Sequence, residues 1–313
     1  MNELYTLSAE ESHHRAWRTD IEPALRVPSE STVKFECQPG SGHDVTPETS
    51  AEKAAAAPFP GHVLTGPVCI EGAQRGDVLE IELLDIDHGD WGYTLVRPGE
   101  DDKGLLPEDF EDPFLYHWDL SSSVAEFANG FEIPIDPFPG TIGVAPNGNG
   151  AQSTIPPRNV GGNLDIKYLT EGASLLLPIG VDDAYFSIGD GHAAQGDGEV
   201  CVTAIETDLT VTTRLTLHSD RSIRYPQLHN PGRPADEPTQ SGFHATVGVA
   251  DSLLAASKVA VREMIGWLKS HYDLTPPEAY VLCSVTVDLS INELVNDPHW
   301  VVTAKLKENV LPG

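Results

Sequence analysis

Thr210-Val211-Thr212-Thr213-Arg214-Leu215-Thr216-Leu217 places Val211, Thr213, Leu215 and Leu217 on one side of an extended chain and Thr210, Thr212, Arg214 and Thr216 on the other. Successive side chains of an extended chain point to opposite faces, so this alternation, carried by β-branched residues, specifies a half-buried strand. The same period of two is visible in Val78-Leu79-Glu80-Ile81-Glu82-Leu83. Ser31 to Cys37, Asp77 to Asp85, Ala173 to Ile179 and Glu199 to Glu206 are further short runs rich in Val, Ile, Leu and Thr. With 28 Gly and 25 Pro as punctuation between such runs, residues 1–240 read as β-rich with many turns.

The part from 241 to 313 has a different period. Leu253, Leu254, Ser257, Val261, Met264, Ile265 and Leu268 recur every three or four residues. That stripe predicts an amphipathic helix from Asp251 to Tyr272, with Asp251 as its N-cap. Thr275-Pro276-Pro277-Glu278 is a start signal for a short helix or turn over Glu278 to Val285. Asn292 to Asn296 reads as one more turn, and Trp300 to Leu306 as a terminal strand. Residues 38–61 and 98–114 are rich in Pro, Gly or acidic groups and read as long loops of the kind that shape a site. No linker and no fixed-period repeat divides the chain. The expected architecture is one domain over 1–313, a β-rich α/β fold of mixed sheets with long loops and a C-terminal helix.

Asp plus Glu number 48 against 19 for Lys plus Arg, a formal charge of −29 over 313 residues. Such a surface repels nucleic acid and anionic membranes, which excludes both as partners of choice. The acidity is spread along the chain, as on a salt-adapted surface, and a halophilic setting is the expectation. No apolar run approaches the ~20 residues that cross a bilayer, and the polar start from Met1 to Asp20 lacks the features of a targeting peptide. A cytoplasmic location is the default. Cys37, Cys69, Cys201 and Cys283 are far apart and form no Cys-x-x-Cys pair, so buried free thiols are expected.

The densest set of ligand-type groups is Gly189-Asp190-Gly191-His192-Ala193-Ala194-Gln195-Gly196-Asp197-Gly198-Glu199. Its carboxylates, Asp190, Asp197 and Glu199, repel one another in a tight glycine-rich loop unless protons or a cation compensate. Mixed imidazole and carboxylate donors suit Zn²⁺, and an all-oxygen subset suits Ca²⁺. On composition alone, a Gly/Asp-rich surface turn accounts for the segment equally well. Gly161-Gly162-Asn163-Leu164-Asp165 offers further oxygens, although an Asx-type turn explains it by itself. Phe138-Pro139-Gly140-Thr141-Ile142-Gly143-Val144-Ala145-Pro146 carries no titratable group and reads as a pocket wall or a backbone donor. No GxSxG elbow, HExxH helix, phosphate-binding loop or GxGxxG turn is present.

At these residues the chain resembles the acetamidase/formamidase family. The resemblance covers most of the chain and is carried by four motifs in the family's order. These are Thr65-Gly66-Pro67-Val68-Cys69-Ile70-Glu71-Gly72-Ala73 with Gly76-Asp77-Val78-Leu79, then Pro139 to Pro146, Gly161 to Asp165, and Gly189 to Glu199. It implies hydrolysis of short amides to a carboxylate and ammonia, a β-rich α/β fold, a bound divalent metal (Zn²⁺, Ca²⁺ or both), and a homodimer or larger assembly. Carried over by position, Asp190, His192, Asn163 and Asp165 are the expected metal residues. Glu199, Glu36 and Asp197 are the expected catalytic carboxylates, with Glu199 or Glu36 as base. Gly140, Thr141, Gln195 and His117 are the expected substrate contacts. The chain departs from the family at Gln38-Pro39-Gly40-Ser41-Gly42-His43-Asp44-Val45, where an Asp-containing turn ending in Gln is usual. His43 and Asp44 stand there as substitutes, which leaves the amide open. Two other readings compete. One is a hydrolase of another linear or cyclic C–N bond, such as a carbamate; the other is a non-catalytic, metal-stabilised binding module.

Overall fold

The computed structural model describes residues 4–99, 104–232 and 242–312. The alternating stretch lies in the Glu206–His218 strand, where Leu209, Val211, Thr213 and Leu215 are buried and Thr210, Thr212, Arg214 and Thr216 are half-exposed. This strand pairs antiparallel with Ser31–Cys37 on one side and with the 19-residue strand Val78–Val96 on the other. Among the described residues, sixteen strands join one sheet, mostly antiparallel. Two parallel pairs, Leu4–Ser8 with Ser31–Cys37 and Leu25–Val27 with Leu64–Ile70, make it mixed. The main core gathers Phe35, Phe138, Phe186, Ile81 and Leu175 within the folded sheet. By area, each such side chain contributes roughly 1.5–3 kcal/mol when fully removed from water.

The strands after residue 240 belong to the same sheet. Phe243–Ala250 and Trp300–Lys307 pair with each other, and Val287–Glu293 forms the outer edge. The Leu253–Tyr272 helix covers them. Its N-cap is Ser252 and not Asp251: the Ser252 hydroxyl accepts the N–H of Ala255 at 3.2 Å. Its buried face is Ala256, Ala260, Met264 and Leu268, while Leu254 is exposed. The helix sits so close to the sheet that a Cβ on Gly248 would meet the backbone nitrogen of Ala260 at 2.7 Å, which is why alanines face inward where the sequence stripe placed leucine.

Further differences from the expectations have local causes. The second helix spans Pro276–Thr286, longer than 278–285, because the Glu278 carboxylate accepts the Thr275 N–H and starts it early. Asn292 and Glu293 continue the edge strand instead of opening a turn, held there by pairing with the terminal strand. Glu199 to Glu206 is not a strand before its last residue, since Glu199 and Val202 have left-handed φ values of 47° and 67°. Asp190, Gly191 and His192 conversely lie in the Phe186–His192 strand, outside any loop. The 38–61 stretch contains a six-residue helix, Ala51–Ala56, and 98–114 a 3₁₀ turn at Pro107–Asp109. Cys37, Cys69 and Cys283 are buried free thiols, whereas Cys201 is half-buried. His14 is half-buried and hydrogen-bonds Ser187 Oγ and the Ala16 carbonyl, both at 2.8 Å. No helix among the described residues is long and apolar enough to cross a membrane.

Candidate active site

Strand register assembles the site. In the sheet, Asn163 lies opposite Thr141, Thr141 opposite Gly189, His192 opposite Glu206, and Glu206 opposite Tyr93. Side chains from five strands, contributed by distant parts of the chain, therefore meet in one cluster. His192 is at its centre. Its Nε2 lies 3.2 Å from Glu206 Oε1 and 3.4 Å from Asp190 Oδ1. Asp165, His192 and Glu199 form one group of potential metal ligands, and Asp190, His192 and Glu206 a second, with ligand atoms in each lying within 4.8 Å of one another. All five residues are buried.

The surroundings fix these groups. Thr141 Oγ1 lies 2.8 Å from Asn163 Oδ1 and 3.1 Å from Asp190 Oδ2. Asn296 donates its amide to Asp165 Oδ2 at 2.7 Å, and Glu206 accepts the N–H groups of Gly40 at 3.3 Å and Ala204 at 3.2 Å. Gly140 keeps the centre open: a Cβ there would stand 2.5 Å from His192 Cε1 and 2.7 Å from both Asp165 Oδ1 and Asp190 Oδ2. Asp165, Asp190 and Glu199 all have left-handed backbones, with φ of 47°, 60° and 47°. Such conformations are uncommon outside glycine and cluster where function over-determines them. The acids floor a cavity of about 110 Å³ whose walls include Phe59, Leu95 and Ile155. A single water needs roughly 10–15 Å³ of such free space, so a small molecule with companion water fits.

Charge is unevenly shared. Burial, and then Asp190 and other acids nearby, pushes the Asp165 carboxyl well above the usual range; burial and Asp165 do the same to Glu199. Burial would also raise Asp190, but the attraction of His192 and His62, with a hydrogen bond from Thr141, holds it below the ordinary value. Burial lowers His192, and Glu206 and Asp190 more than reverse this, raising it well above the ordinary value. Neither ring nitrogen of His192, nor Asp165 Oδ1, has an aligned hydrogen-bond partner among the described residues, although all are shut off from solvent. Buried polar atoms are rarely left so. Orphaned donors, excess carboxylate and a gap held open by Gly140 fit a divalent cation, which would take the place of the His192 proton.

The acetamidase/formamidase family model matches residues 3–153 and 147–311. The chain belongs to this family. It is 26% identical over 247 residues to the acetamidase of Mycolicibacterium smegmatis, covering 60% of this chain and 61% of that one. It is 26% identical over 243 residues to the formamidase of Methylophilus methylotrophus, covering 60% and 59%. The chain thus spans about three fifths of these two relatives. A crystal structure of an acetamidase from Bacillus halodurans superposes with a TM-score of 0.87 at 31% identity, covering 97% of this chain and 98% of that one.

Of the residues that the acetamidase/formamidase resemblance singled out, the structure gathers Asp190, His192, Asp165, Asn163, Glu199, Gly140 and Thr141. Asn163 is committed elsewhere: its Oδ1 takes the Thr141 hydroxyl and its Nδ2 binds the Ile155 carbonyl at 3.1 Å, so it buttresses the acids. Gln195 donates to the Asp165 and Asn292 carbonyls and braces the loop. Three candidates lie outside. Glu36 is on the exposed face of its strand, because neighbours Phe35 and Cys37 point into the core. Asp197 is exposed, 3.4 Å from Lys167 and accepting the Tyr168 hydroxyl at 2.8 Å. His117 is exposed and stacks on Trp91, on the sheet's outer side. His43 and Asp44 are also exposed, paired with Asp208 and Arg15.

Sequence reasoning missed Glu206, His62 and Asn296. His62 Nε2 lies 3.8 Å from Asp190 Oδ2, and burial lowers its pKa. Glu206 closes a strand-like run out of phase with the buried Thr207, Leu209, Val211, Thr213 and Leu215, so the alternation assigns it to the outward side although it is buried. Nothing in the local pattern marks His62 or Asn296.

Proposed function

We propose that this acetamidase/formamidase family member hydrolyses short amides to a carboxylate and ammonia. In this reading Asp190, His192 and Glu206 hold a divalent cation, with Asp165 beside them, and Glu199 is the general base. An imidazole among carboxylates favours Zn²⁺ or a similar ion over Ca²⁺. Bound there, the cation supplies Lewis acidity to the amide carbonyl and to water. Glu199 takes a proton from the attacking water as the new C–O bond forms, then gives it to the nitrogen as the C–N bond breaks. Asn296 holds Asp165, and Thr141 with Asn163 holds Asp190, so the acids keep their places through both steps. The cavity walls, including Phe59, Leu95 and Ile155, receive the acyl group.

One observation carries the reading: Glu199, buried yet lining the cavity, has its carboxyl lifted by burial and by Asp165. A lifted carboxyl suits a group that must both accept and return a proton near neutral pH. The experiment is ammonia release from formamide, acetamide, a carbamate and a lactam, with protein before and after chelation and with metal content measured. Turnover of linear amides that vanishes with the metal supports the proposal. Release from the carbamate or lactam alone redirects it to another C–N bond. A folded, metal-loaded protein that releases no ammonia from any of them favours a binding module.

A further inference from the structure

The last stretch of alternation in the Val78–Val96 strand lines the cavity. Tyr93 stands opposite Glu206 at the acid end, Leu95 follows, and Arg97 comes just beyond the strand; all three face the cavity. Arg97 is four residues on from Tyr93, and its guanidinium is near enough to Glu206 at the acid end to be attracted by it. The wall thus runs from carboxylates, past the apolar Leu95, to a guanidinium.

That guanidinium is the one arginine of the cavity lining among the described residues. Acids outnumber Lys plus Arg by 48 to 19, and Arg15, Arg18, Arg26, Arg214 and Arg224 all have a carboxylate within 4 Å. Arg97 has no ion pair and no aromatic ring beneath it among the described residues, and its Nε is shut off from solvent without a hydrogen-bond partner. Glu206 attracts it from a distance but makes no ion pair with it, being engaged by His192 and by the N–H groups of Gly40 and Ala204. A planar fork of donors left free in a cavity wall matches a carboxylate, which it can bind through two parallel hydrogen bonds.

We propose that Arg97 binds a carboxylate at the far end of the substrate, so that the preferred amide is the monoamide of a short dicarboxylic acid and not a neutral alkyl amide. This rests on the amidase reading of the acid floor, where the amide end is held. The apolar stretch at Leu95 accommodates the methylenes between the two ends. The −29 surface repels such an anion from a distance, and a local cation is what admits it.

The test compares succinamate with butyramide. The wild type is expected to prefer succinamate in kcat/KM, and Arg97→Gln to lower the succinamate-to-butyramide ratio roughly 10- to 100-fold, mainly through KM. Arg97→Lys, which keeps the charge and loses the fork, should restore part of the ratio. An unchanged ratio in Arg97→Gln, or a wild type that favours butyramide, overturns the inference. If neither amide is hydrolysed, the amidase reading fails separately. Calorimetric binding of succinate then decides on Arg97: binding that is lost in Arg97→Gln supports it, and binding that is absent or unaffected removes it.

Discussion

His192 and His244 are both buried, at 1% and 8% exposure, yet their surroundings move their pKa values in opposite directions. Burial by itself depresses both imidazoles. His192 faces Glu206 and Asp190 at 3.2 and 3.4 Å, and they raise it well above the ordinary value. His244 lies against Trp267, ring centroids 3.9 Å apart, with no carboxylate paired to it among the described residues; burial, assisted by His271 and His229, takes it down to about 3. The difference teaches that burial sets the cost of charging a histidine and its neighbours set the sign. It also separates the regions: the acid floor is built to hold positive charge, and the layer under the Leu253–Tyr272 helix to exclude it.

The largest expected effect tests whether the acid floor is chemistry or only charge compensation. Glu199→Gln keeps the shape of a cavity-lining group and removes its ability to take a proton. Amide turnover should fall by about 10²–10⁴-fold, while metal content and melting temperature stay near wild type. Turnover that survives the change removes Glu199 as base.

Next comes the opening around which His192 sits. Gly140→Ala drives a methyl to 2.5 Å from His192 Cε1 and 2.7 Å from two carboxylate oxygens. These partners are held by Thr141 and Asn296 and cannot retreat cheaply. The expected result is loss of bound metal, a fall in turnover of around 10²-fold, and roughly 1–3 kcal/mol of destabilisation in urea melts. Wild-type metal content in this variant would show that the gap is not the cation's place.

The same contrast explains what the sequence made visible. The strands were legible because period-two patterning is local, and so were Asp190, His192, Asp165 and Gly140, which sit in compact motifs. Glu206 was not, because only the pairing of the Phe186–His192 strand with the next one places it against His192. His62 and Asn296 reach the cluster from loops whose course is set by the sheet, at separations that no local pattern encodes. Glu36 misled because an acid on an early strand matches the family's pattern, while the burial of Phe35 and Cys37 turns it outward. The left-handed backbones at Asp190 and Glu199 were hidden too, since neither residue type announces them.

On the helix side, the depressed histidine predicts acid sensitivity. A base whose folded pKa lies below its unfolded value contributes full stability above the unfolded value and loses it as pH falls. For His244 the window runs from the ordinary 6.5 down to about 3. Between pH 7 and pH 4.5 this one group should remove about 2–3 kcal/mol. His244→Phe keeps a flat ring against Trp267 and cannot titrate, so its urea-melt stability should fall less over that interval by about that amount. Identical pH slopes for the two proteins would mean that His244 finds a partner for its proton.

The smallest effect concerns the start of the helix that buries His244. Ser252, not Asp251, accepts the Ala255 N–H, and the chain enters the helix with Ser252 extended at φ −155° and ψ 149°. Ser252→Ala removes that acceptor and should cost about 1 kcal/mol, whereas Asp251→Ala, one residue outside, should change stability by less than about 0.5 kcal/mol. The helix packs on Phe243–Ala250 and Trp300–Lys307, strands that carry none of the clustered acids, so amide turnover should be indifferent to both. The pair of variants thus measures how independent the two regions are. If Ser252→Ala also lowers turnover or metal content, the helix layer tensions the edge strand that ends in Glu293, and through Asn296 it reaches Asp165. The charge-excluding layer would then be part of what holds the charge-binding one in place.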